Sequence, residues 1–195
     1  MATIDATVGG ANANSYGTEA EALIYFDERL PLVPAWDDAE NKPGILIMAT
    51  RVLEAMFRPG RLLVRMADGN ARYLTRRTWT GSPATTTQRL AWPRTGMYDG
   101  NGNAIDDDVI PQDLKNALFE FAGQLNKGDT TLNNDVVVQG LTSLRAGSVS
   151  LSFKDGIIPQ VVPDAVLALI PPSWLTDEIW ESAMGSFELN IVSNV

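Results

Sequence analysis

The stretch Pro111–Gly128, PQDLKNALFEFAGQLNKG, decides the fold class. Its apolar residues recur at every third or fourth position, which is the spacing of one face of an α-helix. Proline at the first helical position and a closing Lys-Gly pair are typical start and stop signals. The stretch therefore predicts a helix with a buried stripe, made of Leu114, Ala117, Leu118, Phe121, Ala122 and Leu125.

Two further helices are predicted upstream of this one. Thr18-Glu19-Ala20-Glu21 is a capping box, in which the threonine side chain and the glutamate three positions later satisfy each other's backbone N–H groups. The helix that it starts ends at Pro31, since proline cannot continue a helix. The other helix begins around Pro43 and runs to about Phe57, with apolar residues at helical spacing.

Alternation of apolar with polar residues predicts a smaller β component. Arg61–Met66 and Ala71–Thr80 flank Asp68-Gly69-Asn70, which is a hairpin signal with an Asp-Gly turn. Two later stretches have strand periodicity, and a short helix is predicted after them. They are, in order, Val136–Val138, Gly147–Phe153 and the helix Pro163–Ile170.

Together these segments predict a mainly α fold with a small β element, in the α+β class. A three-helix core occupies residues 15–170, with a hairpin-like insertion at residues 58–88. Residues 1–14 are predicted to form an extended N-terminal arm and residues 171–195 a C-terminal arm.

The chain lacks the residues on which most enzymes rely. It contains no cysteine and no histidine, which excludes thiolate chemistry, Ser-His dyads and imidazole metal ligands. Glycine-rich phosphate loops are missing from the sequence. The acidic loop Asp99–Asp108 lacks the glycine and glutamate positions of a calcium loop. We therefore expect no catalytic activity, no cofactor and no metal, with a carboxylate–metal enzyme as the remaining enzymatic alternative.

Charge is unevenly distributed along the chain, whose overall net charge is −9. Residues 1–50 carry eight acids and two bases (net −6), residues 51–94 nine arginines and two acids (net +7), and residues 95–195 fourteen acids and four bases (net −10). A basic belt between acidic ends predicts a polyanion-binding face, contacts between identical subunits, or pairing with the chain's own acidic ends. The candidate DNA-facing or inter-subunit residues are Arg61, Arg65, Arg72, Arg76 and Arg77.

Aromatic residues lie within and after this belt. Tyr73, Trp79 and Trp92 could stack on the bases of single-stranded nucleic acid, or they could belong to the core. The C-terminal arm is apolar, aromatic and acidic, which favours a surface that contacts a partner protein. Its candidate interface residues are Trp174, Leu175, Ile179, Trp180 and Phe187.

The densest local signature is Gln88–Gly96, QRLAWPRTG. It closely resembles the Q-x-L-x-W-P-R-x-G stretch of a family of tailed-phage neck proteins, which are often described as DnaT-like ssDNA-binding proteins. The resemblance extends over about residues 10–170, although residues 57–88 and the segment after Pro171 are longer than in the family. Four further stretches share it: Asn14-Ser15-Tyr16, Trp36, Ile110-Pro111 and Ala146–Phe153. The motif residues are Gln88, Leu90, Trp92, Pro93, Arg94 and Gly96.

The resemblance implies a head-to-tail adaptor in the virion neck, made in the host cytoplasm. Such subunits form a ring of about a dozen copies. The ring contacts the portal protein and a tail or tail-completion protein, and double-stranded DNA passes through it without specific binding. The motif side chains are expected to be structural, and no membrane contact is expected because the apolar runs fall short of the roughly 20 residues of a span. The alternative is a replication accessory protein that binds single-stranded DNA.

Overall fold

The computed structural model confirms the mainly helical α+β class. It describes residues 2–32, 34–65, 71–75, 77–128, 143–146, 149–152, 162–177 and 179–182. Within these residues the helices are α1 Glu19–Asp27, α2 Lys42–Met56, α3 Gln112–Lys127 and the single-turn α4 Asp164–Leu167. The strands are β1 Arg61–Arg65, β2 Ala71–Thr75, β3 Ser82–Pro83, β4 Arg94–Thr95, β5 Ser143–Ala146, β6 Val149–Ser152 and β7 Ile179–Ser182.

Local sequence signals account for where the long helices begin. The capping box is formed at α1, where the Thr18 hydroxyl accepts from the Glu21 N–H and the Glu21 carboxylate accepts from the Thr18 N–H. The Asn41 side chain caps α2 by accepting from the Gly44 N–H at 3.1 Å. At α3 the proline Pro111 occupies the cap position itself, one residue earlier than its predicted place inside the helix.

Two predicted helix ends are wrong by about one turn. α1 ends at Asp27 rather than at Pro31, because Arg29 turns away to hydrogen-bond with the Phe26 carbonyl and with α3. The helix predicted for Pro163–Ile170 is a single turn over Asp164–Leu167, and a tight turn follows it. In both cases tertiary contacts override the helical spacing of the sequence.

The strands form three separate antiparallel sheets. β1 pairs with β2 as the predicted hairpin, although its Asp68-Gly69-Asn70 turn lies outside the described residues. β7 joins the other edge of β2, which gives the order β1-β2-β7. β3 pairs with β4, and β5 pairs with β6. The predicted strand Gly147–Phe153 is confirmed as β6 over its central residues, and Val136–Val138 lies outside the described residues.

The core lies between α2 and α3, with α1 packed across α3 and α4 against its side. Leu46, Ala49 and Leu53 of α2 are fully buried, and α3 buries the stripe that was predicted for it except at Leu125, which is half-buried. Among the described residues, no helix is both long enough and apolar enough to span a bilayer.

Both terminal segments are attached to this domain where the structure describes them. The Asn14 N–H donates to the Asp5 carbonyl at 2.8 Å, which folds the N-terminal segment back on itself. At the other end, the Thr176 N–H donates to the Thr78 carbonyl at 2.9 Å, and Leu175 pairs with Trp79. The described part of the C-terminal segment is therefore bound to the residues that follow the hairpin, and its Trp174 is buried.

An ion pair fixes the end of α1 to α3. The Arg29 guanidinium donates from Nε and Nη2 to the two oxygens of Glu120 at 2.6 and 2.7 Å. Tyr25 and Gln124 donate to the same carboxylate at 3.1 and 3.0 Å. Hydrogen bonding to Arg29 is the largest cause that holds the pKa of Glu120 below its usual value. Burial, and then the charge of Glu120, raise the pKa of Tyr25 to about 12.

This ion pair predicts acid sensitivity. Because the pKa of Glu120 is lower in the folded chain, its stabilising contribution is present above the ordinary value of 4.5 and is lost as pH falls below it. We expect Glu120→Gln to lower the free energy of unfolding at neutral pH, and the difference from the unmodified chain to shrink as pH falls below 4.5. Urea unfolding of both proteins at a series of pH values measures this. A difference that stays constant with pH would contradict the prediction.

Candidate functional site

The motif loop, Gln88–Gly96, is organised by hydrogen bonds between its own atoms. The Gln88 side-chain amide donates to the carbonyls of Leu90 and Pro93 at 2.8 and 3.0 Å. Its oxygen accepts from the Thr85 N–H at 2.9 Å, and the Thr85 hydroxyl accepts from the Gln88 N–H at 3.2 Å. The Trp92–Pro93 peptide bond is cis. Gln88 therefore serves as an internal brace of the loop.

Arg94 lies inside the protein, with its guanidinium bound to backbone carbonyls. It donates to Thr80 at 2.7 Å, to Ala91 at 3.0 Å and to Gly81 at 2.9 Å. Burial lowers the pKa of Arg94 from its ordinary value. These contacts join the motif loop to the segment that follows the hairpin, where β3 and β4 run side by side. Arg94 therefore connects two segments of the chain through hydrogen bonds to backbone carbonyls.

Trp92 lies at the centre of an aromatic cluster, which we define as Phe57, Trp79, Trp92 and Trp174. The ring centroids of Phe57 and Trp79 are 4.4 Å apart, those of Trp79 and Trp92 5.7 Å, and those of Trp92 and Trp174 5.0 Å. Trp92 and Trp174 are each only 1% exposed. The Trp174 Nε1–H donates to the Tyr98 carbonyl at 2.7 Å. Such offset contacts between buried rings stabilise a core beyond the area that they bury.

Sequence reasoning missed a second polar contact beneath the motif loop. Glu54 of α2 accepts from the Ala91 N–H with both oxygens, at 3.1 and 3.2 Å, and its carboxylate also accepts from the Tyr16 hydroxyl. Burial, followed by the Glu54 charge, raises the pKa of Tyr16 well above its usual value. The Asn14-Ser15-Tyr16 stretch was the available signal. Spacing along the sequence could not pair it with a glutamate on another helix.

The remaining motif residues, Leu90 and Gly96, also have structural roles. Leu90 is half-buried against the core, and Gly96 makes an exposed turn at φ +73°, a backbone conformation that favours glycine.

In the acidic loop, Asp99 accepts from the N–H groups of Asn101 and Asn103 at 2.9 and 2.8 Å, so its carboxylate closes the turn. Among the described residues, no cluster of acidic side chains is arranged to hold a metal ion.

The candidate arginines are concentrated on one sheet. Arg61 and Arg65 lie at the two ends of β1, and Arg72 lies on β2. Arg77 is exposed just after β2, and Arg76 lies outside the described residues. Among the described elements, β1, β2 and β7 come close only to each other and to no helix. The strands that carry these arginines therefore contact no helix among the described elements.

β7 brings acidic residues to one edge of this hairpin. It pairs antiparallel with β2, so that Glu181 lies opposite Tyr73 and Ser182 opposite Arg72. Asp177 lies two residues before β7. β7, from the acidic C-terminal part of the chain, thus pairs with a strand of the basic belt.

A known family covers more than half of the chain. Residues 60–174 match the family described as "Putative DnaT-like ssDNA binding protein". The chain belongs to this family. The match begins just before β1, includes the motif loop and α3, and ends at Trp174. Neither the curated proteins nor the solved structures contain a match. The family description favours single-stranded DNA binding, and nothing in these comparisons bears on a head-to-tail adaptor.

The aromatic residues of this DnaT-like chain offer little stacking surface where their side chains are described. Trp79 and Trp92 are buried in the aromatic cluster, and Tyr73 lies on β2. Tyr98 is the one aromatic residue more than a third exposed among the described side chains. Base stacking by Trp79 or Trp92 would require the core to open.

The residues of the candidate protein interface lie in different environments in the structure. Trp174 is buried, so its ring is not available to a partner, and it belongs to the core instead of to a free arm. Leu175 is half-buried against the core. Ile179 and Trp180 lie on β7, and Phe187 lies outside the described residues. Whether an aromatic residue of the tail belongs to the core or to an interface depends on its neighbours in the fold, and the sequence does not reveal those neighbours.

The buried position of Arg94 predicts that lysine cannot replace it. Arg94→Lys removes donors from at least two of the three carbonyls, and we expect the free energy of unfolding to fall by about 2–4 kcal/mol. Arg89→Lys is the matched control, because the Arg89 side chain is exposed and makes one long contact to the Asn12 carbonyl. Urea unfolding of the two variants measures the difference. Equal stability would show that the Arg94 contacts contribute nothing.

Proposed function

We propose that this chain is a structural assembly subunit, a head-to-tail adaptor of a tailed phage. In this role, copies of the chain form a ring between the portal and the tail components and surround the DNA conduit. The proposal is supported by the resemblance of Gln88–Gly96 to neck proteins and by the buried positions of Trp92 and Arg94 within it. Motif side chains that pack within the chain stabilise its fold, and they are not available to bind a ligand.

The observation that carries the proposal is the isolated sheet β1-β2-β7. Its register places Leu62, Leu74 and Trp180 opposite each other on three neighbouring strands. A small sheet is stable when it packs against another layer. Among the described elements no helix contacts this sheet, and in the proposed ring a neighbouring subunit supplies such a layer.

Charge favours the same function. A net charge of −9 suits a conduit through which DNA slides without being held. The opposite charges of residues 1–50 and 51–94 suit contacts between unlike surfaces of identical subunits, and such contacts close into rings.

Counting copies of the chain in purified virus particles tests the adaptor. Quantitative mass spectrometry against labelled peptide standards is expected to give about a dozen copies per particle, since a closed ring contains each subunit once per position. Absence from particles, together with abundance in infected cells, would overturn the proposal.

A second candidate function is single-stranded DNA binding in replication, because the family description names it and supports it better than it supports the adaptor. The arginines at both ends of β1 and on β2 give this function its basic groups. Binding would then rest on phosphate contacts, since the described tryptophans are buried.

This second function predicts salt-dependent binding of a fluorescent single-stranded oligonucleotide, measured by anisotropy. Each lost phosphate contact lowers the slope of log affinity against log salt by about 0.7, so Arg76→Ala with Arg77→Ala is expected to lower it by about 1.4. Arg51→Ala with Arg58→Ala is the control, because both arginines are exposed and lie outside the hairpin. No binding at low salt by the unmodified chain would exclude the second function.

A further inference from the structure

The outer side of α1 and the residues after it carry an exposed apolar surface, the α1 patch, defined as Leu23, Ile24 and Leu30. These side chains are 42%, 61% and 84% exposed. A single exposed leucine is ordinary, but three large apolar side chains on one short segment mark a contact surface. The inward side of α1 is already occupied, because Ala22 is fully buried and Tyr25 contacts Phe119 of α3.

A cavity of about 280 Å³ opens beside this patch. Leu23 and Leu30 line it together with the stacked rings of Phe26 and Trp36, whose centroids are 4.7 Å apart. The cavity is large enough to receive one or two side chains of another protein. Its apolar lining favours an apolar side chain, because the contact removes apolar surface from water.

The surroundings of the cavity are acidic. Asp27 and Asp37 line it and are exposed, and Glu28 and Asp38 are exposed next to them. Arg29, which also lines the cavity, is held in its ion pair with α3. A partner that fits this surface therefore combines apolar side chains with positive charge.

The C-terminal end of α2 has the complementary character. We define the α2 end by its exposed residues, which are Met56, Arg58 and Pro59. The structure describes residues 42–60 without a gap, and the exposed charged side chains among them are Arg51 and Arg58. The carboxylate of Glu54 is bound beneath the motif loop. The α2 end is therefore both basic and apolar.

Met56 differs from the other exposed apolar residues in the charge of its neighbours. Outside the α1 patch, four large apolar side chains among the described residues are 36% exposed or more, namely Val8, Met56, Tyr98 and Val109. Tyr98 is followed by Asp99, Val109 is preceded by Asp108, and Val8 lies in the uncharged stretch 6–18. Met56 precedes Arg58 by two positions, so its surroundings match the acidic cavity.

The two surfaces lie at opposite ends of α2. Lys42 Nζ donates to the Asp37 carbonyl at 3.0 Å, which places the acidic side of the cavity beside the start of the helix. Met56 is the last of the 15 residues of α2, about 21 Å further along its axis. The chain's own Met56 therefore does not reach the cavity, and a contact between the two surfaces joins different copies.

We propose that the α1 patch receives the α2 end of a second copy of this chain. Met56 of one copy enters the apolar cavity of the next, and Arg58 lies beside Asp27 and Asp37. Because the two surfaces differ, their contact is heterologous and leads from one copy to the next. The inference rests on the proposed ring, and it names the two surfaces that meet between neighbouring subunits.

Disulfide cross-linking tests the contact, and the absence of cysteine makes the test clean. Leu23→Cys or Leu30→Cys, carried on a size-tagged chain, is mixed under mild oxidation with untagged Met56→Cys. Untagged Val109→Cys is the matched control, since Val109 is an exposed apolar residue outside both surfaces. Cross-links are resolved by size on a non-reducing gel, with the chain alone and with rings assembled on the portal.

We expect a tagged–untagged product between Met56→Cys and at least one patch cysteine, at about ten times the yield of the Val109→Cys control or more, because a disulfide forms only where Cα atoms approach within about 7 Å. Rings that assemble without this product would overturn the inference and leave the adaptor intact. A chain that stays monomeric beside its portal would overturn both. Cross-linking of Leu30→Cys to a different protein in particles would also overturn the inference, because another partner would then occupy the patch.

Charge reversal gives a second, independent readout. Arg58→Glu is expected to weaken self-association by about fivefold or more, because it replaces an attraction by a repulsion. Asp37→Lys added to the same chain is expected to restore the association. Arg89→Glu is the matched control, since Arg89 is also an exposed arginine and lies in the motif loop. Equal self-association of Arg58→Glu and Arg89→Glu chains, measured by analytical ultracentrifugation in the presence of the portal, would count against the proposed contact.

Discussion

The structure depends on the contact of Trp92 with its neighbouring rings. The aromatic cluster joins four distant stretches, because Phe57 closes α2, Trp79 follows the hairpin, Trp92 lies in the motif loop and Trp174 precedes β7. Arg94 stabilises the same region by donating hydrogen bonds to three backbone carbonyls. Loss of the central ring would leave a large cavity and would release the hairpin and the C-terminal strand from the helices together. The cluster is the point at which the helical core holds its β elements.

The role of the motif follows from this arrangement. Gln88 and Arg94 direct their polar groups inward to backbone carbonyls, and the Trp92 ring is buried, although its Nε1–H has no hydrogen-bond partner among the described residues. A binding motif would leave donors or rings accessible, as base stacking requires. Within the region that matches the family, the motif loop is thus a packing element. The function of the chain must be sought outside the motif.

Local signals in the sequence predicted the elements, and long-range contacts decided the rest. The capping box at Thr18, the apolar stripe of α3 and the hairpin of β1 and β2 were all predictable, because each depends on residues that are close in sequence. The pairing of β7 with β2 was not, since its partners are about a hundred positions apart. The same dependence on contacts that are distant in sequence explains why the candidate site was only partly predicted. Trp174 was assigned to a partner surface, because the rings that bury it cannot be identified from the tail alone.

The position of β7 also decides what kind of contact the sheet can make. By pairing with β2, β7 places Glu181 at one edge of the sheet, whereas Arg61 and Arg65 lie on β1 at the opposite edge. The strand that carries Arg61 and Arg65 and the strand that carries Glu181 are thus the two outer strands of the sheet. A two-fold contact between copies through either outer strand would bring like charges together, which is unfavourable. The head-to-tail contact of the proposed ring would bring the unlike outer strands together instead.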